Sequence, residues 1–280
     1  MAGKLFVVGT PIGNLSDFSP RAVATLSECD FIAAEDTRVT LKLLNHFEIK
    51  TPMISYYEHN KRSKGDIIIK RILDGESCAI VTDAGMPAIS DPGEDLVALA
   101  HQNGITVESV PGPTAFATAM AISGMPSGRF TFEGFLSVNK PSRREHLEEV
   151  KNERRTMIFY EAPHKLLNTL KDFKEYFGAD RSLTIARELT KLHEQIWLTT
   201  VGEALDFYTE NSPKGEFVLI VAGGVFETAE KELTLDDIAQ KCIEIMESEN
   251  LPLKEAAKLA CAKTAFSKSE VYKAAQNLRG

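Results

Sequence analysis

The sequence predicts an α/β protein that has two α/β domains and a C-terminal helical extension. Three observations lead to this prediction. Short apolar runs alternate with helical patterns up to residue 124, which is typical of a mostly parallel sheet. A different rhythm of strands continues to residue 228, with one clear helix among them. From residue 229 onward the chain shows helical patterns and no strand signal.

The first predicted domain, residues 1–124, contains short runs of apolar and β-branched residues that indicate buried strands. These runs are Leu5–Val8, Phe31–Ala34, Ala79–Val81 and Thr106–Val110. Helical patterns between the strands end at glycines, which readily adopt the left-handed conformation that closes a helix. The predicted helices are Asp66–Asp74, Glu94–Asn103 and Thr114–Ser123. Ser19 followed by Pro20 is typical of a further helix start.

The second predicted domain, residues 125–228, mixes strands with a helix at Lys165–Phe177 and is expected to form a mixed sheet. Its predicted strands are Phe130–Phe135, Thr156–Tyr160, Leu183–Ala186, Gln195–Val201 and Phe217–Ala222. The extension, residues 229–280, is expected to contain the helices Asp236–Glu249, Leu253–Thr264 and Lys268–Leu278. Its last two helices are spaced as in a helix-turn-helix, although a small helical cap packed on the body is the favoured explanation.

Composition restricts the class of protein. The net charge is −8 and 43% of the residues are hydrophobic, which indicates a globular protein in which nucleic-acid binding would need local basic patches. No apolar run reaches the roughly 20 residues that cross a membrane, and the N-terminus is too short in apolar residues for a signal peptide. We therefore expect a cytoplasmic protein. The four cysteines lack metal-ligand spacing, so no metal is expected.

Three loops rich in glycine and proline each follow a predicted strand of the first domain. They are Gly9–Gly13, Asp83–Gly93 and Pro111–Thr114. The first loop lacks the Lys-Ser/Thr ending of a P-loop and does not fit the dinucleotide fingerprint. Because parallel strands end at one edge of a sheet, the three loops are expected to converge on one small-molecule crevice. Taken singly, each loop is as well explained as a plain turn.

In these loops the chain resembles the tetrapyrrole methylase family, a class of S-adenosylmethionine (SAM) methyltransferases distinct from the Rossmann methylases. The match is closest to members that methylate the ribose 2′-hydroxyl of a cytidine in the decoding region of 16S ribosomal RNA. It rests on an ordered set of motifs that spans the chain. These are Val8–Leu15, Glu35–Arg38, Thr82–Gly93, Val110–Ala115, Phe159–His164 and Ala186–Lys191.

The resemblance implies that SAM lies in a cleft between the two α/β domains, and that the protein is a homodimer acting on 16S rRNA within the 30S subunit. Carried over by motif, the SAM-binding residues are Pro11, Asp83, Ala84, Gly85, Ala88, Thr114, Ala115, Tyr160, Leu189 and Gly215. Members that act on cobalamin or sirohaem precursors have Gly-Gly-Asp where this chain has Asp83-Ala84-Gly85. This difference argues against a tetrapyrrole substrate.

A ribose hydroxyl is a poor nucleophile, so a general base is expected near the transferred methyl group. Glu35 and Asp36 follow the second predicted strand, and strand alternation would turn only one of them toward the cleft. His59 is the third candidate. The competing explanation is that Asp36 caps the next helix and pairs with Arg38, which is otherwise a candidate phosphate ligand. Glu161 and His164 remain further possibilities, and Tyr56 or Tyr57 is placed either against an RNA base or in the core.

Contact with RNA requires positive charge. The candidate substrate-binding residues are Arg38, Arg143, Arg144, Arg154 and Arg155, and the segment that holds Lys140, Arg143 and Arg144 is predicted to be a loop. Glutamates interleaved with the basic residues of Lys140–Arg155 make a solvated helix face the alternative for this segment. A second candidate RNA surface lies in the extension, where basic residues outnumber acidic ones. Its members are Lys254, Lys258, Lys263, Lys268, Lys273 and Arg279.

Two other functions are compatible with the sequence. An enzyme of the same fold could act on a small molecule or a protein side chain, and the basic segments argue against it. A nucleic-acid-binding module could use the C-terminal helices while the glycine-rich loops serve only as turns. Binding of SAM separates the second alternative from a methyltransferase.

Overall fold

The structure is a computed structural model, and it describes residues 3–224, 234–262, 264 and 266–279. The chain divides into two compact units, residues 1–224 and residues 225–280. The first unit contains two sheets and the second contains helices. This arrangement confirms the predicted fold class. The proposed boundary between the two α/β domains near residue 124 stays a prediction.

A parallel sheet forms the first half of the first unit, with the strand order β3-β2-β4-β1-β5. Its strands are β1 (Lys4–Val8), β2 (Phe31–Ala34), β3 (Met53–Ser55), β4 (Cys78–Val81) and β5 (Thr106–Val110). Its helices are α1 (Pro20–Glu28), α2 (Thr37–His46), α3 (Lys61–Leu73), α4 (Gly93–Gln102) and α5 (Ala115–Ile122). Separate hydrophobic clusters cover the two faces, so the central strands β2 and β4 are buried throughout.

Helix boundaries in this half follow local chemistry. The Ser19 hydroxyl accepts a hydrogen bond from Ala22 N and Pro20 is the first helical residue, as predicted. Gly75, Gly104 and Gly124 follow helices with φ between 68° and 109°, where a side chain would be strained. The predicted strands agree with the structure, but β3 was not predicted, and α2 was raised only as the helix that Asp36 would cap. Strand β3 has three residues, too few for a periodic signal.

A mixed sheet forms the second half of the first unit, with the strand order β6-β7-β10-β8-β9. Its strands are β6 (Phe130–Phe135), β7 (Thr156–Glu161), β8 (Ser182–Arg187), β9 (Gln195–Thr200) and β10 (Phe217–Val221). Only β6 and β7 pair in parallel among the strand pairs of this described sheet. Its helices are α6 (Lys140–Val150), α7 (Pro163–Phe177) and α8 (Val201–Glu210). The predicted mixed sheet is confirmed.

The prediction of a loop at Lys140–Arg144 is wrong, because these residues begin helix α6. The side chain of Asn139 accepts a hydrogen bond from Ser142 N, and Pro141 lies in the first turn. These two residues supply the start signal of a helix. Helix α6 is mostly exposed and charged, and Leu147 is its one residue that is fully buried in the described structure. A single buried position gives no repeating apolar pattern in the sequence.

The second unit contains α9 (Leu235–Ser248), α10 (Leu253–Ala260) and α11 (Lys268–Leu278). Capping boxes start α9 at Thr234 and α11 at Ser267, the latter as predicted. Helix α10 ends four residues before the predicted end, at Ala260. Alanines and branched residues of all three helices form a small core. Lys263 and Ala265, which belong to the predicted basic surface and turn, lie outside the described residues.

Among the described residues, no helix combines the length and the apolar character needed to cross a bilayer.

The four cysteines are free thiols with little reactivity. Cys29, Cys78 and Cys242 are buried and Cys261 is partly buried, all as free thiols. Burial raises the pKa of the Cys29 thiol to about 11, so it is protonated and weakly nucleophilic at neutral pH.

Candidate functional site

The three glycine-rich loops converge at one edge of the parallel sheet, as the sequence predicts. They follow β1, β4 and β5, which are neighbours in the sheet. Thr10 and Gly85 exchange backbone hydrogen bonds of 2.9 and 3.2 Å and so join the first two loops. Gly9 faces Gly112 so closely that a Cβ on Gly9 would lie 2.7 Å from the backbone of Gly112. Glycine is therefore required where the first and third loops pass each other.

The loop after β4 is held in a strained conformation by Asp91. Ala88 and Ser90 have φ values of 67° and 65°, in the left-handed region that favours glycine. Asp91 Oδ1 accepts hydrogen bonds from Ala88 N at 2.9 Å and from Gly93 N at 2.8 Å, which closes the loop around the carboxylate. Burial raises the pKa of Asp91 above its ordinary value. Strain of this kind concentrates at functional sites.

The mixed sheet supplies the opposite wall of the cleft. Tyr160 lies on β7 (Thr156–Glu161), and its hydroxyl accepts a hydrogen bond of 3.1 Å from Phe116 N at the start of α5. The turn after β8 packs against the first loop. A Cβ on Gly13 would lie 2.5 Å from Lys191 Cγ and 3.0 Å from the carbonyl oxygen of Leu189. These contacts bring the two sheets together around one space.

The turn after β8 contains two residues with positive φ, Glu188 at 53° and Thr190 at 65°. Glu188 Oε1 stabilises this turn because it accepts hydrogen bonds from Glu216 N and Lys191 Nζ, each 2.9 Å long. The Lys191 ammonium holds the pKa of Glu188 below its usual range. Gly215 has φ of 90°, and a Cβ there would lie 2.6 Å from Glu188 Cγ. Gly215 therefore supports the turn that presents Leu189.

The space between the two walls is a cleft of about 350 Å³. Of the predicted residues, it is lined by Glu35, Ala84, Gly85, Thr114, Ala115, Tyr160 and Leu189. The other lining residues were not singled out from the sequence, although five of them belong to the loops predicted to form the crevice and Glu161 was raised as a possible base. They are Ile12, Thr82, Met86, Ile89, Ser90, Asp91, Phe135, Glu161, Ala162, Glu216, Phe217 and Val218.

Four predicted SAM-binding residues are not among those that line the cleft: Pro11, Asp83, Ala88 and Gly215. Asp83 instead connects two strand ends, since its Oδ1 accepts a hydrogen bond of 3.1 Å from Asp36 N. Partial desolvation and the neighbouring Glu35 charge raise the pKa of Asp83. In the first loop the neighbour of Pro11, Ile12, reaches the cleft in its place. The role of these four residues in SAM binding stays a prediction.

The three candidate bases lie in different environments. Glu35 lines the cleft, and its Oε2 accepts a hydrogen bond of 2.6 Å from the Thr82 hydroxyl. Asp36 begins α2 (Thr37–His46), accepting from Arg38 N at 2.8 Å and forming an ion pair with the Arg38 guanidinium at 2.6 Å. These hydrogen bonds lower the pKa of Asp36 to about 2. His59 is exposed in the segment after β3, with its ring centre 6.2 Å from that of Tyr57.

Asp36 and Arg38 thus have the helix-capping arrangement that was the alternative to a catalytic role. The pairing leaves the Arg38 side chain 87% exposed. Tyr56 is buried in the core of the parallel sheet, whereas Tyr57 is 41% exposed. Of the two tyrosines, Tyr57 alone has a surface that a base could contact.

The predicted RNA-binding arginines separate into two places. Arg143 and Arg144 lie on α6, and Arg143 donates to Asp172 at 2.6 Å and to Thr169 at 2.7 Å. Arg154 and Arg155 precede β7 and therefore lie at the end of that strand opposite to Glu161, which lines the cleft. Arg155 pairs with Glu153 at 2.6 Å. The structure does not bring these two pairs of arginines together.

Two of these further lining residues have signals of their own in the sequence. Asp91 stands before Pro92 and Gly93, which is a turn pattern in which an aspartate accepts hydrogen bonds from following backbone groups. Glu161 is the last residue of the apolar strand β7, at the sheet end that faces the cleft. Phe217 and Val218 carried no signal, because they belong to an ordinary buried strand whose end happens to face the cleft.

Comparison with known proteins shows which family the chain resembles. Residues 4–205 match the model of the tetrapyrrole (corrin/porphyrin) methylases. The chain is 44% identical over 281 residues to ribosomal RNA small subunit methyltransferase I of Pseudomonas aeruginosa, covering 100% of this chain and 99% of the relative. A relative of the same name from Thermotoga maritima is 47% identical over 221 residues, covering 79% of this chain and 99% of the relative.

A solved structure of the same fold comes from Thermus thermophilus. It is uroporphyrin-III C-methyltransferase in complex with S-adenosylhomocysteine. The TM-score is 0.56 at 14% identity, and the match covers 79% of this chain and 97% of that chain. At this level of identity the likeness concerns the fold alone.

Proposed function

The chain belongs to the ribosomal RNA small subunit methyltransferase I family of the tetrapyrrole methylases, and from this premise we propose that its cleft binds SAM and methylates ribosomal RNA. The acceptor is the ribose 2′-hydroxyl of a cytidine in 16S rRNA. The observation that carries the proposal is the cleft itself. Three loops of one parallel sheet and two strand ends of a second sheet enclose a single small-molecule space.

The residues of the cleft suit SAM. Its volume of about 350 Å³ falls within the range of small-molecule sites. SAM carries positive charge on its sulfonium and amino groups, and the carboxylates of Glu35, Asp91 and Glu161 line the cleft. Apolar side chains such as Ile12, and the small Ala84–Gly85 segment of the loop after β4, complete the lining. A lining of carboxylates and apolar side chains favours a cationic, partly apolar ligand.

When bound, SAM supplies a methyl group on a positively charged sulfur. Ala84, Gly85, Thr114 and Ala115 would hold the donor from the parallel sheet, and Tyr160 and Leu189 would hold it from the mixed sheet. The Tyr160–Phe116 hydrogen bond fixes the two walls relative to one another. Positioning of this kind contributes about 7–11 kcal/mol in well-oriented reactions.

Glu35 is the general base that this geometry favours. Of the three candidates, it alone is among the residues that line the cleft. Its Oε2 is occupied by the Thr82 hydroxyl, which leaves Oε1 to accept the proton of the ribose 2′-hydroxyl. Glu35 would take this proton while bound SAM supplies its methyl group to the ribose oxygen, the electron pair of the carbon–sulfur bond remaining on sulfur. General bases contribute roughly 10²–10⁴-fold to such steps.

The fold does not determine the methyl acceptor, because proteins that share one fold can act on different substrates. The rRNA assignment rests on 44% identity over the whole chain to a ribosomal RNA methyltransferase. The motif Asp83-Ala84-Gly85, in place of the Gly-Gly-Asp of members that act on cobalamin or sirohaem precursors, supports the same conclusion. A cytoplasmic location follows from a ribosomal substrate. A homodimer is inferred from the family resemblance.

Methyl transfer from labelled SAM tests this function. Purified protein is incubated with 30S subunits and, in parallel, with naked 16S rRNA. We expect label in the RNA of at least one substrate. Label in neither would contradict the RNA assignment, whereas calorimetry that detects no SAM binding would contradict the methyltransferase assignment itself. Label in a small molecule or a protein would instead support the same-fold alternative.

A further inference from the structure

A groove between α6 and α7 lies outside the cleft and has a volume of about 500 Å³. Positively charged side chains line it from both helices: Lys140, Arg143 and Arg144 from α6, and Lys165 and Lys171 from α7. Its acidic members are Asp172 and Glu175. The excess of positive charge contrasts with the net charge of −8 for the whole chain. We call this feature the α6–α7 groove.

Most of that positive charge is available to a ligand. Arg143 is engaged, because it donates to Asp172 at 2.6 Å and to Thr169 at 2.7 Å. Within the described part of the chain, no ion pair forms at Lys140, Arg144, Lys165 or Lys171. Four cations therefore face a groove whose remaining acidic side chain is Glu175. Such a surface suits a polyanion that occupies the space between the helices.

The groove and the cleft are lined by residues of one short segment after β6. Phe135, at the end of β6, lines the cleft, and Ser137 and Val138 line the groove. Three residues of extended chain span about 10 Å at most. Phe135 is 53% exposed and Val138 is 78% exposed, so two apolar side chains stand on the path from one space to the other.

A buried hydrogen-bond chain also connects the two spaces. Arg143 lines the groove and donates to the Thr169 hydroxyl, which in turn donates to Oε2 of Glu161. Glu161 lines the cleft and is 4% exposed, and its Oε1 accepts from Ala162 N at 2.8 Å. Groove and cleft are thus linked through three hydrogen-bonded side chains.

We propose that the α6–α7 groove binds backbone phosphates of the RNA strand next to the nucleotide that enters the cleft. The inference rests on the function proposed above. Lysine and arginine side chains that line an open groove recognise phosphates without reading base sequence. The exposed Phe135 and Val138 lie where a nucleotide would pass from groove to cleft and offer apolar surface to an unstacked base.

Charge removal tests the proposal. The double variant Arg144→Gln/Lys171→Gln removes two groove cations, and Lys50→Gln/Lys174→Gln removes two exposed cations that do not line it. Binding to 30S subunits is measured at several salt concentrations, separately from methyl transfer. The groove variant should bind about 10-fold more weakly than the control, with a salt slope that is smaller by roughly 0.7 per lost phosphate contact. SAM affinity and the circular dichroism spectrum should be unchanged.

Crosslinking identifies what occupies the groove. A photo-crosslinking amino acid replaces Asn168, an exposed neutral residue of the groove. Attachment to 16S rRNA supports the proposal, and attachment to a ribosomal protein overturns it. Equal affinities and salt slopes for the two double variants overturn it as well. If the wild-type protein binds subunits but transfers no methyl group to RNA, the proposed function is contradicted. The binding comparison between the two double variants would still test whether the groove contacts RNA.

Discussion

The Thr82 hydroxyl donates a hydrogen bond of 2.6 Å to Oε2 of Glu35, and this bond ties the end of β4 to the end of β2 at the cleft. It fixes a carboxylate beside the loop that is proposed to hold SAM. We predict that Glu35→Gln lowers the single-turnover rate at saturating SAM by roughly 10²–10⁴-fold, because the amide cannot accept the ribose proton. SAM affinity should change little.

The matched control is Glu58→Gln, an exposed glutamate in the segment after β3. Its rate should equal that of the wild type. A near-normal rate for Glu35→Gln would remove Glu35 from the role of base. His59→Ala and Asp36→Asn would then be the variants to compare by the same single-turnover measurement.

The Asp91 carboxylate is predicted to support SAM binding by maintaining the conformation of the loop after β4. In Asp91→Ala, the hydrogen bonds from Ala88 N and Gly93 N lose their acceptor, and the strained residues between them are free to relax. Hydrogen bonds to charged groups contribute about 1.5–3 kcal/mol each, so thermal stability should fall clearly. SAM affinity measured by calorimetry should fall at least about 10-fold.

The Asp91→Asn variant separates geometry from charge, because its side-chain oxygen still accepts both hydrogen bonds. Its stability should lie close to that of the wild type. If Asp91→Ala bound SAM as tightly as the wild type, the loop conformation would not matter for the donor site.

The close approach of Gly9 to Gly112 predicts that Gly9→Ala damages the site. The added Cβ would lie 2.7 Å from backbone atoms of Gly112, and backbone atoms cannot rotate away as a side chain could. We expect a loss of about 1–3 kcal/mol in the free energy of unfolding, together with weaker SAM binding.

The control for this change is Gly128→Ala, since a Cβ there would meet no atom within 4 Å. Chemical denaturation measures both variants. Equal stability of the two would show that the loops separate without cost and would contradict the tight packing described here.

A pH-dependent contribution to stability is predicted for Glu133. His146 Nε2 lies 2.8 Å from Glu133 Oε2, and this hydrogen bond holds the pKa of Glu133 below its ordinary value. A lowered folded-state pKa stabilises the protein above the unfolded-state value of about 4.3, and the contribution is lost as the pH falls below it. Glu133→Gln should therefore be less stable than the wild type near pH 7, by about 1 kcal/mol.

The difference should shrink as the pH falls below about 4.3, where the wild type loses the contribution itself. Glu149→Gln, an exposed residue of α6, is the control and should show no such trend. A stability difference between Glu133→Gln and the wild type that stays constant from pH 7 to pH 3 would contradict the prediction.

The first unit is predicted to bind SAM without the second. The Thermotoga maritima relative matches 79% of this chain over 99% of its own length, so a family member exists without a counterpart to about a fifth of this chain. All residues that line the cleft belong to residues 1–224. A variant that ends at Gly224 should fold cooperatively and bind SAM within about twofold of the full chain.

Calorimetry and thermal melting check this variant. Loss of SAM binding would show that the second unit contributes to the site. If SAM binding is kept and subunit binding is lost, the basic residues of α10 and α11, such as Lys258 and Lys273, become the stronger candidates for RNA contact.

The sequence predicted what depends on local pattern. Strands such as Phe31–Ala34 are buried on both faces and therefore read as uninterrupted apolar runs. The convergence of Gly9–Gly13 with the other loops followed from parallel topology. Family resemblance then supplied the opposite wall, including Tyr160 and Leu189, which no local pattern could have placed in the cleft.

What the sequence could not predict depends on long-range contact. The choice between Glu35 and Asp36 required knowing that Thr82 lies beside one of them and that Arg38 pairs with the other. The Arg143–Thr169–Glu161 chain joins residues that are 26 and 8 positions apart. The start of helix α6, Lys140–Arg144, was predicted as a loop because a solvated helix offers little apolar periodicity.

The most direct test of the account locates the transferred methyl group. Unmethylated 30S subunits are incubated with the wild-type protein and SAM, and the RNA is digested to nucleosides and analysed by mass spectrometry. The account predicts 2′-O-methylcytidine from 16S rRNA with the wild type and its near absence with Glu35→Gln after the same short reaction. A methyl group on a base, on another nucleoside or on no RNA at all would contradict it.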